Sequence, residues 1–156
     1  SIMNIKFICP LITVADIEKS RRFYENILNQ KVKFDFGENI TFEGDFAIHL
    51  QSHFQNLINL KEIIRPSNSC ELYFESDEID ELYKKLKSDE VVFVHEIREQ
   101  PWRQKVARFY DPDYNLLEVG ESMESLIKRL SLDGMSCTEI ISATGLPEAF
   151  VKATLN

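Results

Sequence analysis

The chain has 156 residues, a hydrophobic fraction of 44% and a formal net charge of −8. This length suffices for one sizeable hydrophobic core and is too short for two independent domains of ordinary size. The acidic balance leaves no basic face to neutralise phosphates, so we expect neither nucleic acid nor membrane as a partner.

Targeting signals and cysteine usage predict a cytoplasmic protein. No apolar run is long enough to span a bilayer, and we see no basic-then-apolar signal pattern at the N-terminus. The three cysteines, Cys9, Cys70 and Cys137, are odd in number and widely spaced. They indicate a reducing compartment rather than a disulfide framework.

The first half of the chain predicts a strand, a helix and three further strands. Apolar residues without a helical period predict a strand over 5–14, and Asp16 is expected to cap a helix from 17 to about 28. Further strands are predicted at 32–36, 40–42 and 46–51, because the glycine-containing segments between them are typical of hairpins.

The same order of elements then repeats. A strand is predicted at 70–75, followed by a helix capped by Asp77 and by strands at 91–97, 105–110 and 116–119. A short amphipathic helix at about 54–64 is expected to join the halves. The sequence therefore predicts an α+β fold in which two βαβββ modules, at about 5–51 and 70–120, form a curved mixed sheet around a cavity.

Residues 121–156 predict a helical C-terminal extension to the domain at 5–120. Leu126, Ile127 and Leu130 form an apolar stripe, and Ser136 with Glu139 forms a capping box. Two short helices across Gly145 have the outline of a helix-turn-helix. Because acidic residues outnumber basic ones here, we expect packing on the domain or on a dimer partner rather than contact with DNA.

Strand alternation groups several chemically active side chains. Glu71 shares a face with Tyr73 and Glu75, while Leu72 and Phe74 lie on the opposite face. The same parity puts Cys9, His49 and Glu118 on the side away from the helices. If each half curls its sheet, these three residues and Glu71 converge on one hollow.

Such a set of oxygen, nitrogen and sulfur donors suits a divalent first-row metal, with zinc favoured over magnesium or calcium. The alternative is a hydrogen-bonded polar cluster in which Cys9 fills a small space in the core.

Other candidate residues lie on or near a loop in the second half. Trp102, Arg103 and Arg108 are candidates for binding an anionic or carbonyl-bearing substrate, the alternative being a solvated loop and an ordinary surface arginine. His53 and His95 are expected to be isolated and exposed. No nucleophile elbow, phosphate-binding loop or dinucleotide-binding loop is present, which excludes the common hydrolase, kinase and dehydrogenase classes.

Two segments carry a family resemblance. The stretch from Cys9 to Tyr24 (CPLITVADIEKSRRFY) and the stretch from Arg108 to Glu118 (RFYDPDYNLLE) resemble the opening strand and helix and the closing hairpin of the glyoxalase/bleomycin-resistance/extradiol-dioxygenase superfamily. The resemblance covers roughly residues 5–120. It implies that metal ligands come from the positions of Cys9, His49, Glu71 and Glu118, and it implies a homodimer.

The chain also departs from the family pattern. Cys9 and Glu71 replace residues that are frequently histidine, which argues against a two-histidine, one-carboxylate iron site. Tyr114 stands where the closing turn usually has glycine, so we expect a wider turn there.

The resemblance leaves two main hypotheses for function. The first is a metal-dependent lyase or isomerase that acts on a small oxygenated metabolite with zinc, nickel, manganese or iron. In it, Glu71 or Glu118 moves a proton, and His49 and the other glutamate hold the metal. The second is a metal-free protein of the bleomycin-resistance type that binds and sequesters a small molecule. A third hypothesis, a regulator whose C-terminal helices dock a partner, depends on the extension alone.

Overall fold

The structure is a computed structural model that describes residues 3–156. The chain forms two compact units. One comprises residues up to 68 together with 111–115, and the other comprises 69–110 and 116–156.

The first unit is built on one four-stranded sheet. Its elements are β1 (Leu11–Val14), α1 (Ile17–Asn26), β2 (Val32–Asp35), β3 (Asn39–Phe42), β4 (Ala47–Leu50) and α2 (Gln51–Leu57). The strand order is β1-β4-β3-β2, with β1 parallel to β4 and the other pairs antiparallel. As predicted, the Asp16 side chain caps α1 by accepting a hydrogen bond from the backbone of Lys19.

The second unit repeats this arrangement. Its elements are β5 (Glu71–Ser76), α3 (Ile79–Ser88), β6 (Val92–Glu99), β7 (Lys105–Tyr110) and β8 (Leu116–Glu121). The strand order is β5-β8-β7-β6, again with one parallel pair. The predicted α+β fold with two βαβββ modules is therefore confirmed as two four-stranded mixed sheets.

The turn after β7 belongs to the first unit. The Asp111 carboxylate accepts a hydrogen bond of 2.7 Å from the buried Tyr24 hydroxyl and further bonds from the backbones of Asp113 and Asn115. Burial raises the pKa of the Asp111 carboxyl, while these bonds oppose the rise. Tyr114 adopts the left-handed conformation with φ +60°, so this residue itself takes up the backbone conformation that glycine adopts more readily.

Three helices end the chain: α4 (Met123–Leu132), α5 (Cys137–Thr144) and α6 (Glu148–Leu155). Ser136 and Glu139 form the predicted capping box, and Gly145 ends α5 with φ +74°. A separate buried core holds the helices together, and it consists of Leu126, Ile127, Leu130, Ile140 and Val151. None of the helices within residues 3–156 is long and apolar enough to cross a membrane.

Three local predictions were wrong. The first strand begins at Leu11 rather than residue 5, because β4 pairs only with Leu11–Val14. The joining helix lies at Gln51–Leu57, directly after β4, rather than at 54–64. Asp77 does not cap α3, since its carboxylate accepts a hydrogen bond from the Ser122 hydroxyl instead.

Candidate functional site

One face of the second unit's sheet carries polar side chains. Glu71 and Tyr73 alternate along β5 with Leu72, which is buried on the opposite face. Strand pairing puts Tyr73 beside Glu118, and Arg108 directly opposite Glu118. The register therefore brings two predicted site carboxylates and a predicted substrate-binding arginine together on this polar face.

The Arg108 guanidinium joins the two carboxylates. Its Nε donates to Glu71 Oε2 at 3.0 Å, and its Nη2 donates to Glu118 Oε1 at 2.6 Å. Glu118 is only 5% exposed, so this pair forms largely away from solvent. A cation thus already occupies the position between the two carboxylates.

His95 is a fourth member of this cluster. Its Nε2 lies 3.1 Å from Arg108 Nη1, and its Nδ1 lies 2.9 Å from the carbonyl oxygen of Glu96. A carbonyl can only accept, so Nδ1 carries the proton and Nε2 accepts from the arginine. His95 is half-buried and contacts Arg108, and the prediction that it is isolated and exposed was therefore wrong.

The Glu118 carboxyl has an unusual affinity for protons. Burial, then the hydrogen bond that the protonated Glu118 donates to Glu71 and the negative charge of Glu71, raise its pKa to about 7, against the opposing influence of Arg108. A carboxyl with this pKa exchanges a proton near neutral pH, as a general acid or base must.

A chain of hydrogen bonds extends the polar face toward the 100–104 loop. The Tyr73 hydroxyl donates to Glu75 and accepts from the Gln104 side-chain amide, each at 2.7 Å. The Trp102 indole donates to Gln104 Oε1 at 2.8 Å. Gly120 makes this approach feasible, since a Cβ there would lie 2.5 Å from Gln104 Nε2.

Trp102 and Arg103, both predicted to bind substrate, differ in their surroundings. Trp102 remains 40% exposed on this loop. The Arg103 side chain pairs with Glu99 and contacts the Met135 sulfur, and its backbone carbonyl accepts from Arg129. Arg103 is thus tied to the C-terminal helices, and its role toward a ligand stays a prediction.

The first unit holds a histidine pair. Asn39 Nδ2 lies 3.0 Å from His49 Nδ1, and His49 Nε2 lies 2.8 Å from His53 Nδ1. Since the amide donates, His49 Nδ1 accepts and Nε2 donates to His53. Burial, then the closeness of His53, lowers the pKa of His49, because two protonated imidazoles at this distance would repel each other, and this agrees with a neutral His49 ring.

The prediction that His53 is isolated and exposed was therefore wrong. The four-residue spacing of the two histidines across the end of β4 and the start of α2 was the available signal for this contact.

The predicted metal ligands are divided between the two units. Cys9, a half-buried free thiol just before β1, lies with His49 in the first, and Glu71 and Glu118 lie in the second. Within neither unit do residues 3–156 contain a group of three or more His, Cys, Asp or Glu that could hold a metal ion. Convergence of all four residues stays a prediction.

Comparison with known proteins identifies the family. Residues 7–124 match the model of the glyoxalase-like domain. No significant match to a curated protein sequence was found. A solved protein of unknown function from Agrobacterium tumefaciens shares 34% identity, with a TM-score of 0.70 over 78% of this chain and 98% of that one.

Two further structures are similar. A glyoxalase/bleomycin resistance protein/dioxygenase superfamily member from Sphaerobacter thermophilus shares 26% identity, with a TM-score of 0.59 over 76% of this chain and 98% of that one. A lactoylglutathione lyase from Agrobacterium tumefaciens shares the fold at 16% identity, with a TM-score of 0.56 over 77% of this chain and 96% of that one. The chain therefore belongs to the glyoxalase/bleomycin resistance protein/dioxygenase superfamily, through a glyoxalase-like domain at residues 7–124.

Proposed function

We propose that the chain binds a small oxygenated metabolite on the polar face of its second unit and uses no resident metal ion to do so. The observation that carries this proposal is the Arg108 guanidinium, which donates to both Glu71 and Glu118. The positive charge that a metal would supply between these carboxylates comes instead from a side chain of the protein.

The donor atoms, as they are placed, do not fit a metal centre. Oxygens of Glu71 and Glu118 already accept from Arg108, so a metal ion would have to displace the arginine from both. His49 has no free lone pair, because Nδ1 accepts from Asn39 and Nε2 carries a proton toward His53. These bonds favour the metal-free hypothesis over the predicted zinc, nickel, manganese or iron centre.

The polar face offers donors that suit ligand oxygen atoms. Arg108 presents a planar guanidinium, the group best adapted to carboxylates and carbonyls. With a pKa of about 7, the Glu118 carboxyl can donate when protonated and accept when ionised. Tyr73 and Trp102 add half-exposed aromatic surface on the same unit. A small carboxylic acid, ketone or diol matches this combination.

Ligand binding can be followed through Trp102, the single tryptophan. We expect at least one member of a panel of 2-oxo acids, 2-hydroxy acids, vicinal diols and catechols to change its fluorescence. Arg108→Gln should weaken binding about tenfold or more, the effect of losing a charge-assisted hydrogen bond. Arg21→Gln, which removes a half-buried arginine of the first unit that also pairs with two carboxylates, is the matched control. Equal affinity in wild type and Arg108→Gln would contradict the proposal.

A second candidate is a lyase or isomerase that moves a proton, and the pKa of Glu118 favours it. In this case the Glu118 carboxylate takes a proton from the carbon next to a ligand carbonyl. The C–H electron pair forms a new C=C bond, the π electrons of the C=O bond move to the carbonyl oxygen, and Arg108 stabilises the resulting negative charge.

Exchange of that hydrogen for deuterium, followed by NMR in heavy water, tests the second candidate. Wild type should catalyse the exchange and Glu118→Gln should not, with Glu81→Gln, an exposed glutamate of α3, as the control. A wild-type rate equal to that of buffer would exclude this candidate and leave the binding proposal intact.

The proposal includes a reducing, cytoplasmic setting and a homodimer. The free thiols of Cys9, Cys70 and Cys137 support the first. Exposed apolar side chains near the N-terminus support the second.

A further inference from the structure

The C-terminal helices have an apolar core of their own. Its buried residues, and the half-buried apolar side chains packed against them, all lie between Met123 and Leu155. The family match ends at residue 124, before most of this extension. Arg129 of this extension makes polar contacts with the rest of the second unit.

Arg129 of α4 connects two segments of the second unit. Its guanidinium donates to both carboxylate oxygens of Glu121, at 2.7 and 2.9 Å. Its Nη2 also donates to the backbone carbonyl of Arg103 at 2.7 Å. Glu121 lies at the end of β8 and is 2% exposed, so this ion pair is protected from water.

The Arg103 carbonyl belongs to the 100–104 loop that carries Trp102. The same loop is held from the sheet side, since Gln104 Nε2 donates to the Glu121 carbonyl at 2.9 Å and to the Tyr73 hydroxyl. The Glu121 carboxylate also accepts from the backbone of Lys105. Arg129 therefore contacts the loop directly at the Arg103 carbonyl. It also binds Glu121, which accepts hydrogen bonds from Gln104 and Lys105 at the end of the loop.

We propose that Arg129 is a positioning residue, through which the C-terminal extension fixes the 100–104 loop and thereby sets ligand affinity at Trp102. This inference rests on the proposed function in so far as Trp102 contacts the ligand. Arginine suits this position because its rigid planar fork bonds both oxygens of the Glu121 carboxylate and the Arg103 carbonyl at once, whereas the compact ammonium of lysine has no fork to match this geometry.

The test uses the full-length chain with Arg129→Lys, which keeps the positive charge beside Glu121. Because the chain has one tryptophan, acrylamide quenching of its fluorescence reports the exposure of this loop without any ligand. We expect the quenching constant to rise about twofold, since a loop that loses a tether opens more often. Lys152→Gln, which breaks an exposed ion pair with Glu148 in α6, should leave it unchanged.

A second variant guards against failure to fold. Glu121→Gln combined with Arg129→Gln removes both charges together, so no unpaired ion stays buried, and it should raise quenching as Arg129→Lys does. Unchanged quenching in both variants would overturn the inference.

Measuring ligand affinity in the same variants separates this inference from the proposed function. Arg129→Lys should weaken binding about threefold or more through loss of one charge-assisted hydrogen bond, while Arg108→Gln should weaken binding without altering quenching. Raised quenching with unchanged affinity would overturn the claim on affinity. If wild type binds none of the panel, the proposed function fails, yet the quenching comparison still decides whether Arg129 positions the loop.

Discussion

At the scale of single residues, Arg108 decides the chemistry of the polar face. Two carboxylates placed close together repel each other, which favours a proton on one of them, and a cation between them opposes this effect. Arg108 is that cation, with hydrogen bonds to Glu71 and Glu118. Its side chain is 25% exposed, so water screens the pairing only in part.

Removal of Arg108 should therefore destabilise the fold in a pH-dependent way. We expect Arg108→Met to lower the free energy of unfolding by about 2 kcal/mol at pH 8, less than for a fully buried pair. The loss should shrink at pH 5, where the carboxyl pair holds a proton. Urea denaturation at both pH values measures this. Arg21→Met, in a more exposed cluster, should cost about 0.5 kcal/mol. An equal loss for Arg108→Met at both pH values would contradict the account.

Glu118 should make the wild-type protein less stable as pH rises. Its folded-state pKa of about 7 lies above the ordinary value of 4.5. The stabilisation from the bound proton is therefore complete below 4.5 and is lost as pH rises through 7. Glu118→Gln should flatten the stability profile between these values, and carbon NMR of the labelled carboxyl should show a midpoint near 7. A midpoint near 4.5 would exclude this assignment.

Gly120 should tolerate no side chain. A Cβ would lie 2.5 Å from the Gln104 amide and 3.2 Å from the Tyr73 hydroxyl, within the network that supports Trp102. We expect Gly120→Ala to cost about 1–3 kcal/mol of stability, as overpacking does, and to shift the Trp102 emission. Gly44→Ala is the control, because its nearest neighbour, Gln30 Oε1, is 3.2 Å away, whereas Gln104 is buried and its amide is held by hydrogen bonds to Tyr73 and Glu121. A fully stable Gly120→Ala with unchanged emission would contradict this role.

At the scale of elements, local signals predicted the helices best. Asp16 and the Ser136–Glu139 capping box start α1 and α5 because a cap acts on its own first turn. The first strand and α2 were predicted less well. Pairing with β4 decides where the first strand begins, and the end of β4 decides where α2 begins. Asp77 failed as a cap because Ser122, distant in sequence, competes for its carboxylate.

The candidate site could be predicted only in part, for a similar reason. Alternation along β5 correctly put Glu71 with Tyr73 on one face, because parity is a property of one strand. The position of Arg108 between Glu71 and Glu118 depends on register across β5, β8 and β7, which no single segment specifies.

At the scale of the whole molecule, the N-terminal segment predicts self-association. Ile5 and Phe7 are 82% and 79% exposed and lie on a stretch without regular structure. Such a run of exposed apolar side chains is unusual on a monomer.

We therefore expect light scattering to show a homodimer. The double variant Ile5→Asp, Phe7→Asp should shift the equilibrium toward the monomer. Lys6→Asp, at the position between them, is the control and should change the oligomeric state much less. A monomeric wild type at high micromolar concentration would contradict the expectation.

The central claim is that Arg108 supplies the positive charge between Glu71 and Glu118, and metal analysis of the purified protein tests it most directly. Elemental analysis with thermal unfolding in added zinc, nickel, manganese or iron should show no stoichiometric metal and no stabilisation, since a ligand that binds the folded state raises its stability. Stoichiometric metal in wild type that is lost in both His49→Ala and Glu118→Ala would contradict the account.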